Sequence, residues 1–141
     1  MDEDRLDMSL ANDAAEIARV AERIDGFCAA GGVEPSVAYA VNLALDELLS
    51  NIISYGYQDE EAHRIELAVR RDGGTLVVTI VDDSIEFDPR QVPDTDTDAP
   101  LHERDPGGLG LLLVSTMMDS VDYRREDGRN VTTLTKGPAA E

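Results

Sequence analysis

Residue types that carry particular structures or chemistries are scarce in this chain. It has no tryptophan, four tyrosines and two phenylalanines, so aliphatic side chains must fill most of the core. A single cysteine, Cys28, excludes an internal disulfide and is typical of a reducing compartment. Because Cys28 follows Phe27 on the apolar side of a predicted helix, we interpret it as a buried thiol rather than a redox centre.

Long apolar runs are also missing. The N-terminal segment MDEDRLDMSL is acidic and lacks the apolar stretch that a secretion signal needs. No run approaches the roughly 20 apolar residues of a membrane span. The sequence therefore predicts a cytoplasmic protein that has no membrane partner.

Positive charge is the third shortage. Lys and Arg number 12 against 30 Asp and Glu, which gives a formal net charge of −18. A surface of this charge repels nucleic acid and anionic membranes, because both are densely negative. It is compatible with a basic protein partner, or with a phosphate ligand accompanied by Mg²⁺. Solubility alone is the competing explanation.

The apolar pattern predicts a single α+β domain over residues 1–141, since this is an ordinary domain length. Asp13-Ala-Ala-Glu16 has the spacing of a capping box and opens a first helix, which ends at Gly31-Gly32. A second helix runs from about Pro35 to Tyr55. Further elements are predicted at 8–10 (edge strand), 64–71, 75–81, 111–118 (helix), 121–125 and 130–136. Antiparallel strand pairs favour a two-layer α/β sandwich, with a mixed, mostly antiparallel sheet and helices on one face.

Glu47 and Asn51 are the first candidates for chemistry. They lie four residues apart on the second predicted helix and therefore share a face. A carboxylate beside an amide oxygen can hold Mg²⁺ and activate a hydroxyl group. Taken alone, such a pair is more typical of a solvated helix face.

The second candidate is the segment that follows the buried strand 75–81. Asp82 would be held rigidly at the strand end, where its carboxylate can accept a hydrogen bond from an exocyclic amine such as that of adenine. Asp82, Asp83 and Ser84 are equally compatible with a simple turn.

The third candidate is the glycine-rich turn Gly107-Gly-Leu-Gly110 before the third predicted helix. Backbone N–H groups at a helix N-terminus can bind phosphate. A helix C-cap or a flexible hinge would also explain these glycines. The acidic, proline-containing stretch 82–105 before them predicts a mobile loop.

Metal sites of other kinds are disfavoured. Asp94-Thr-Asp-Thr-Asp98 begins like a calcium loop, but Ala99 stands where the loop requires glycine. His63 and His102 have neither zinc-ligand spacing nor cysteine partners.

The segments ELLSN, DDSIEFDP and GGLGLLLV occur in an order that resembles the ATP-binding domain of the GHKL superfamily, the Bergerat fold. The ending Met118-Asp-x-Val-x-Tyr123 makes the chain most similar to the stand-alone anti-sigma factor serine kinases. The resemblance covers about residues 8–136.

This resemblance implies roles for individual residues. Glu47 would be the general base, Asn51 would hold Mg²⁺ beside ATP, and Asp82 would bind the adenine amine. The phosphates would be bound by Gly107, Gly108, Leu109 and Gly110. Thr132 or, more specifically, Thr133 would line the adenine pocket. Residues 89–107 would form the ATP lid.

The implied activity is phosphorylation of a serine or threonine on an anti-sigma factor antagonist, with sequestration of a sigma factor as a second role. Regulation of transcription by partner switching and a homodimeric state belong to the same expectation.

Two positions depart from the family pattern. Ser84 stands where the Asp-x-Gly motif has glycine, although its hydroxyl could join the cofactor contacts. Tyr55 stands where many relatives have histidine. They favour an alternative, a non-catalytic module of the same fold with weak or no ATP binding. A detached ATP-binding half of a histidine kinase is a third possibility.

Overall fold

The computed structural model describes residues 4–90 and 108–138, which form five strands and three helices. The order along the chain is β1 (Arg5–Ala11), α1 (Ala15–Gly31), α2 (Pro35–Tyr55), β2 (Arg64–Asp72), β3 (Thr75–Asp82), α3 (Gly108–Met117), β4 (Ser120–Glu126) and β5 (Arg129–Lys136). The predicted α+β class is confirmed.

The strands form one sheet in the order β1-β2-β3-β5-β4. All four pairings between the described strands are antiparallel, so the mixed sheet that was expected is antiparallel throughout this part of the chain. The short segment 8–10 that was predicted as an edge strand lies in the second half of β1, and β1 does lie at an edge of the sheet. In the centre of the sheet, Asp82 pairs with Asn130 and Ile80 with Thr132.

One face of the sheet carries the helices. Along β3, Leu76, Val78, Ile80 and Asp82 are buried while the alternate residues are half-buried. Alternate side chains of a strand point to opposite faces, so the apolar run of β3 is fully covered on one face only. This covered face and the helices enclose the core.

The two long helices follow their apolar periodicity. Val41, Leu45 and Leu48 of α2 are buried as predicted. Cys28 of α1 is a buried free thiol whose pKa is raised, chiefly because burial disfavours the thiolate. Within the described residues, no helix is both long and apolar enough to cross a membrane.

Helix α1 ends as predicted but does not begin with the predicted capping box. Gly32 ends the helix in the left-handed conformation (φ 68°), as glycine readily does. The capping box at the start is not formed, because the Glu16 carboxylate bonds to Arg19 and to the backbone N–H of Ala11. These contacts hold the pKa of Glu16 at about 2, with the Arg19 hydrogen bond as the largest cause.

Candidate functional site

A cavity of about 280 Å³ lies where α2, β3 and β5 meet the segment after β3. Its lining is mainly apolar and has polar groups at a few places. The lining residues are Leu48, Asn51, Ile52, Tyr55, Gly56, Ile80, Asp82, Ser84, Ile85, Phe87, Pro89, Asn130 and Thr132. Apolar walls with a few fixed polar groups are typical of small-molecule sites, and this volume is at the small end of their usual range of roughly 300–1,000 Å³.

Asp82 provides a buried carboxylate at the inner wall of the cavity. Only 2% of Asp82 is exposed, and its Oδ1 atom accepts hydrogen bonds from Asn130 Nδ2 (3.0 Å) and from the Ser84 backbone N–H (3.2 Å). The Ser84 hydroxyl also donates to Oδ1. None of these three bonds uses Oδ2, so the carboxylate retains an oxygen that can accept a bond from a ligand.

Ser84 is accommodated without the backbone freedom of the glycine expected at this position. Among the described non-glycine residues, only Asp127 has a positive φ, so Ser84 does not use a glycine conformation. Ser84 is buried, and its hydroxyl accepts a bond from Asn130 Nδ2 (3.2 Å) while it donates to Asp82. The hydroxyl therefore becomes part of the polar wall.

Asn130 is a site residue that the motifs did not indicate. It is 3% exposed, and its amide nitrogen donates to Asp82, to Ser84 and to the carbonyl of Ile85 at 2.8–3.2 Å. The signal that would have identified it is register, because Asn130 is the cross-strand partner of Asp82. Strand β5 was predicted, but a single sequence does not specify which β3 residue faces which β5 residue.

Asn51 lines the cavity from α2, and its Nδ2 atom is buried without a hydrogen-bond partner among the described residues. A buried polar group normally has a partner, so this amide is available to a ligand. Glu47 is half-buried one turn earlier on α2, about 6 Å along the helix axis. It does not line the cavity itself.

The predicted phosphate turn is only partly within the described chain. Gly108, Leu109 and Gly110 form the first turn of α3, and Gly107 lies outside the described residues. Helix α3 packs against α2 and buries Leu111. The first N–H groups of a helix have no partner within the helix, so they are able to bind an anion.

The structure places Thr132 and Thr133 on opposite faces of the sheet. Thr132 is buried and lines the cavity, whereas Thr133 does not. Neighbouring residues of a strand face opposite sides of the sheet, and Thr133 pairs with Thr79 on the face away from the helices. Of the two threonines considered, Thr132 is therefore the one in the site.

The mouth of the cavity is unusually apolar for an exposed surface. Tyr55, Ile85 and Phe87 line it and are 40–56% exposed. The predicted lid begins at Pro89, and Pro89 also lines the cavity. Residues 91–107 lie outside the described residues, and they contain the calcium-like segment 94–98, His102 and most of the predicted lid.

His63 lies close to the site between two carboxylates. Its Nε2 contacts Asp59 Oδ1 at 2.7 Å and its Nδ1 contacts Asp83 Oδ2 at 3.2 Å, and the ring stacks on Tyr57 at 4.1 Å. Both carboxylates raise the pKa of His63, with the Asp59 bond as the largest cause. Ligand atoms of Asp59, Glu61 and His63 lie within 4.8 Å of one another. The ion pairs with Asp59 and Asp83 already occupy both ring nitrogens of His63.

Known structures share this fold. The RsbU and RsbW domains of a Mycobacterium tuberculosis protein match with a TM-score of 0.63 at 16% identity, over 94% of this chain and 32% of that one. The histidine kinase domain of a blue-light activated kinase from Erythrobacter litoralis matches with a TM-score of 0.51 at 17% identity, over 88% and 60%. At these identities the likeness is one of fold alone.

Relatives are also found by sequence. Serine/threonine-protein kinase BtrW of Bordetella bronchiseptica is 32% identical over 103 residues, which are 73% of this chain and 72% of BtrW. Serine-protein kinase RsbW of Bacillus thuringiensis is 26% identical over 95 residues, which are 64% of this chain and 59% of RsbW. The match thus spans less than two thirds of the RsbW protein.

The family model for the histidine kinase-like ATPase domain matches residues 10–136, which contain every described element apart from most of β1. The matched range includes Asn51, Asp82 and the start of α3, in the order that the sequence motifs indicated. This chain therefore belongs to the histidine kinase-like ATPase family, in its branch of anti-sigma factor serine kinases.

Proposed function

We propose that this protein binds Mg-ATP in the cavity between α2, β3 and β5 and transfers the γ-phosphoryl group to a serine or threonine of a protein partner. The observation that carries the proposal is that two polar side chains lining one mainly apolar cavity have hydrogen-bonding capacity left for a ligand. Asp82 retains a carboxylate oxygen, and Asn51 has a buried amide without a partner.

The adenine base fits the inner end of this cavity. Asp82 Oδ2 would accept a hydrogen bond from the exocyclic amine, and the apolar side chains of Ile80, Ile85 and Phe87 would contact the faces of the ring. Thr132, with a hydroxyl on the same wall, replaces Thr133 in this role. Ser84 contributes indirectly through its bond to Asp82.

The phosphate groups would extend from the cavity toward Asn51 and the start of α3. The Asn51 amide satisfies its unpartnered end by donating to a phosphate oxygen, or by turning 180° to offer Oδ1, a ligand type that Mg²⁺ accepts. Backbone N–H groups of the Gly107–Gly110 turn, which includes Leu109, would bind further phosphate oxygens. The bound Mg²⁺ would neutralise charge that develops on the phosphate oxygens.

Glu47 is the proposed general base. It would accept the proton of the substrate hydroxyl as that oxygen forms a bond to the γ-phosphorus, while the bond from phosphorus to the bridging oxygen breaks and ADP leaves. Its place one helical turn from Asn51, outside the cavity lining, keeps it clear of the base-binding end.

The relatives support the substrate and partners that we propose. The printed names of BtrW and RsbW are those of serine/threonine- or serine-protein kinases, and we extend that activity to an anti-sigma factor antagonist as the substrate. We propose that a sigma factor competes for the protein, that the protein is a cytoplasmic homodimer, and that residues 1–141 are one domain with a lid at about 89–107. The net charge of −18 supports a protein partner over nucleic acid.

A non-catalytic protein-binding module of the same fold is the second candidate. Two observations favour it. The Ser84 hydroxyl takes up space and hydrogen bonds at the glycine position of the family motif, and Tyr55 replaces a family histidine at the cavity mouth.

The variant Glu47→Gln separates the two candidates. If Glu47 is the base, the variant binds Mg-ATP within about threefold of wild type, while phosphotransfer to a serine-bearing antagonist falls roughly 10²–10⁴-fold. Transfer is measured with radiolabelled γ-phosphate. Asp46→Asn, which removes an exposed carboxylate of the same helix, serves as the matched control and should transfer phosphate normally.

Two results would contradict this scheme. Undiminished transfer by Glu47→Gln would remove Glu47 from the chemistry. Absence of transfer by the wild type, together with weak or absent Mg-ATP binding, would favour the non-catalytic module.

A further inference from the structure

We propose that Asn130 is a positioning residue that sets the base preference of the nucleotide site by fixing the orientation of the Asp82 carboxylate. The inference rests on the proposed function, in which Asp82 reads the exocyclic amine of adenine. It goes beyond that function because Asn130 would not touch the nucleotide amine itself.

The register of the sheet determines the contact between Asn130 and Asp82. Asp82 and Asn130 are direct cross-strand partners on β3 and β5, and both side chains are at least 97% buried. Partners in an antiparallel pair point to the same face of the sheet. The Asn130 amide therefore lies beside the Asp82 carboxylate and donates to it, with 3.0 Å between Nδ2 and Oδ1. The backbone pairing of the sheet therefore sets this contact.

The carboxylate needs such a contact to be specific. The terminal torsion of aspartate is broad and roughly two-fold, so a free carboxylate has no fixed plane. Donors from Asn130 and from Ser84 converge on Oδ1 and fix that plane. Oδ2, which accepts none of these bonds, is then held in one place, where it can distinguish a ligand amine from a ligand carbonyl.

The amide of Asn130 is itself fixed in one orientation. Its Oδ1 atom accepts bonds from the Arg125 guanidinium (3.0 Å), the Phe87 backbone N–H (3.4 Å) and the Tyr123 hydroxyl. Because all three neighbours are donors, the oxygen must face them, and the nitrogen must face Asp82. The nitrogen end is therefore always the end that the carboxylate meets.

The same amide also positions the apolar wall. Asn130 Nδ2 donates to the carbonyl of Ile85 at 2.8 Å, and Asn130 Oδ1 accepts a bond from the backbone N–H of Phe87, two residues further along the same segment. Ile85 and Phe87 both line the cavity. One buried side chain thus connects the acceptor for the amine with the wall that would contact the ring.

The test compares Mg-ATP with the triphosphate of purine riboside, which lacks the exocyclic amine. Wild type should prefer ATP by about tenfold or more, the size expected for a hydrogen bond to a charged group. In Asn130→Ala and Asn130→Asp the preference should shrink to about twofold or less, as it should in Asp82→Asn. Asn42→Ala provides a matched control, since Asn42 also bonds an aspartate, Asp25 at 2.9 Å, but lies between α1 and α2; it should keep the wild-type preference.

The ratio of the two dissociation constants separates positioning from mere support of the fold. If Asn130 only supports the fold, both nucleotides weaken by the same factor in its variants, and an unchanged ratio would overturn the inference. Should the Asn130 variants not fold, Ser84→Ala removes one donor to Asp82 and leaves Asn130 intact; it should lower the preference in part, and an unchanged ratio there would also overturn it.

Failure of the proposed function gives a different pattern. Wild type that binds neither nucleotide contradicts ATP binding itself. Wild type that binds both equally contradicts the reading of the amine by Asp82, and with it the role of Asn130, while ATP binding stands.

Discussion

Asp82 remains inside the fold because three hydrogen-bond donors converge on one of its oxygens, and a buried charge without such donors would be costly. The place of Asp82 in the cavity wall was predictable, because Asp82 directly follows a buried strand. Asn130 was not predictable, and neither was the choice between Thr132 and Thr133, because strand register determines the face and the partner of each residue. Ser84 was recognised as a departure, but only the structure shows its hydroxyl bonded to Asp82.

The His63 side chain should make the free energy of unfolding depend on pH. The folded protein raises the pKa of His63 because both ring nitrogens meet carboxylates, and only the protonated ring can donate to both. The stabilisation is complete below the unfolded pKa of about 6.5 and is lost as pH rises through the higher folded value. The free energy of unfolding, measured with urea at pH 6 and pH 9, should therefore fall toward pH 9.

The control for this prediction is His63→Gln, which cannot titrate and should show a smaller decrease between the two pH values. Asp59 and Asp83 remain in that variant, as does Tyr57, whose pKa burial already raises. Equal decreases in the variant and the wild type would contradict the assignment.

Helices and strands were the most predictable level of this molecule. Helix α2 has the expected bounds, and the observed strands extend the expected ones by one or a few residues. This agreement has a physical reason, since the periodicity of buried side chains is repeated over each element. The capping box at Asp13 failed because its glutamate found a stronger partner, Arg19, one turn along.

Contact between elements makes Gly56 a sensitive position. A Cβ atom there would lie 2.6 Å from the carbonyl oxygen of Ile52 and 2.8 Å from the Cβ of Ser84, and the Gly56 carbonyl accepts a bond from the Ile85 N–H. Gly56→Ala should separate the end of α2 from the cavity wall and destabilise the protein by about 1–3 kcal/mol, measured by urea unfolding.

Gly26→Ala is the matched substitution on α1, where an added Cβ meets nothing within 4 Å. It should stabilise the protein by about 0.5–1 kcal/mol, because alanine is the better helix former. If the two substitutions had the same effect, close approach at Gly56 would not be what distinguishes them.

The whole molecule combines a strongly acidic composition with a mainly apolar cavity between α2, β3 and β5. The order of motifs along the chain was sufficient to identify the family, because Asn51, Asp82 and the glycine turn are individually ordinary but rarely follow one another by chance. The cavity itself could not be read from the sequence, since it forms only where α2, β3 and β5 meet. The net charge of −18 explains why Mg²⁺ belongs in the proposal, because a strongly acidic protein would repel a bare triphosphate.

Titration calorimetry of Mg-ATP into wild type and Asn51→Ala is the most direct measurement of that proposal, with Asn42→Ala as the control for loss of an asparagine elsewhere on α2. Wild type and Asn42→Ala should bind with equal affinity. Asn51→Ala should bind about tenfold or more weakly, because the phosphate–metal end loses its contact while the base end is intact. Equal affinity for wild type and Asn51→Ala would contradict the nucleotide site described above.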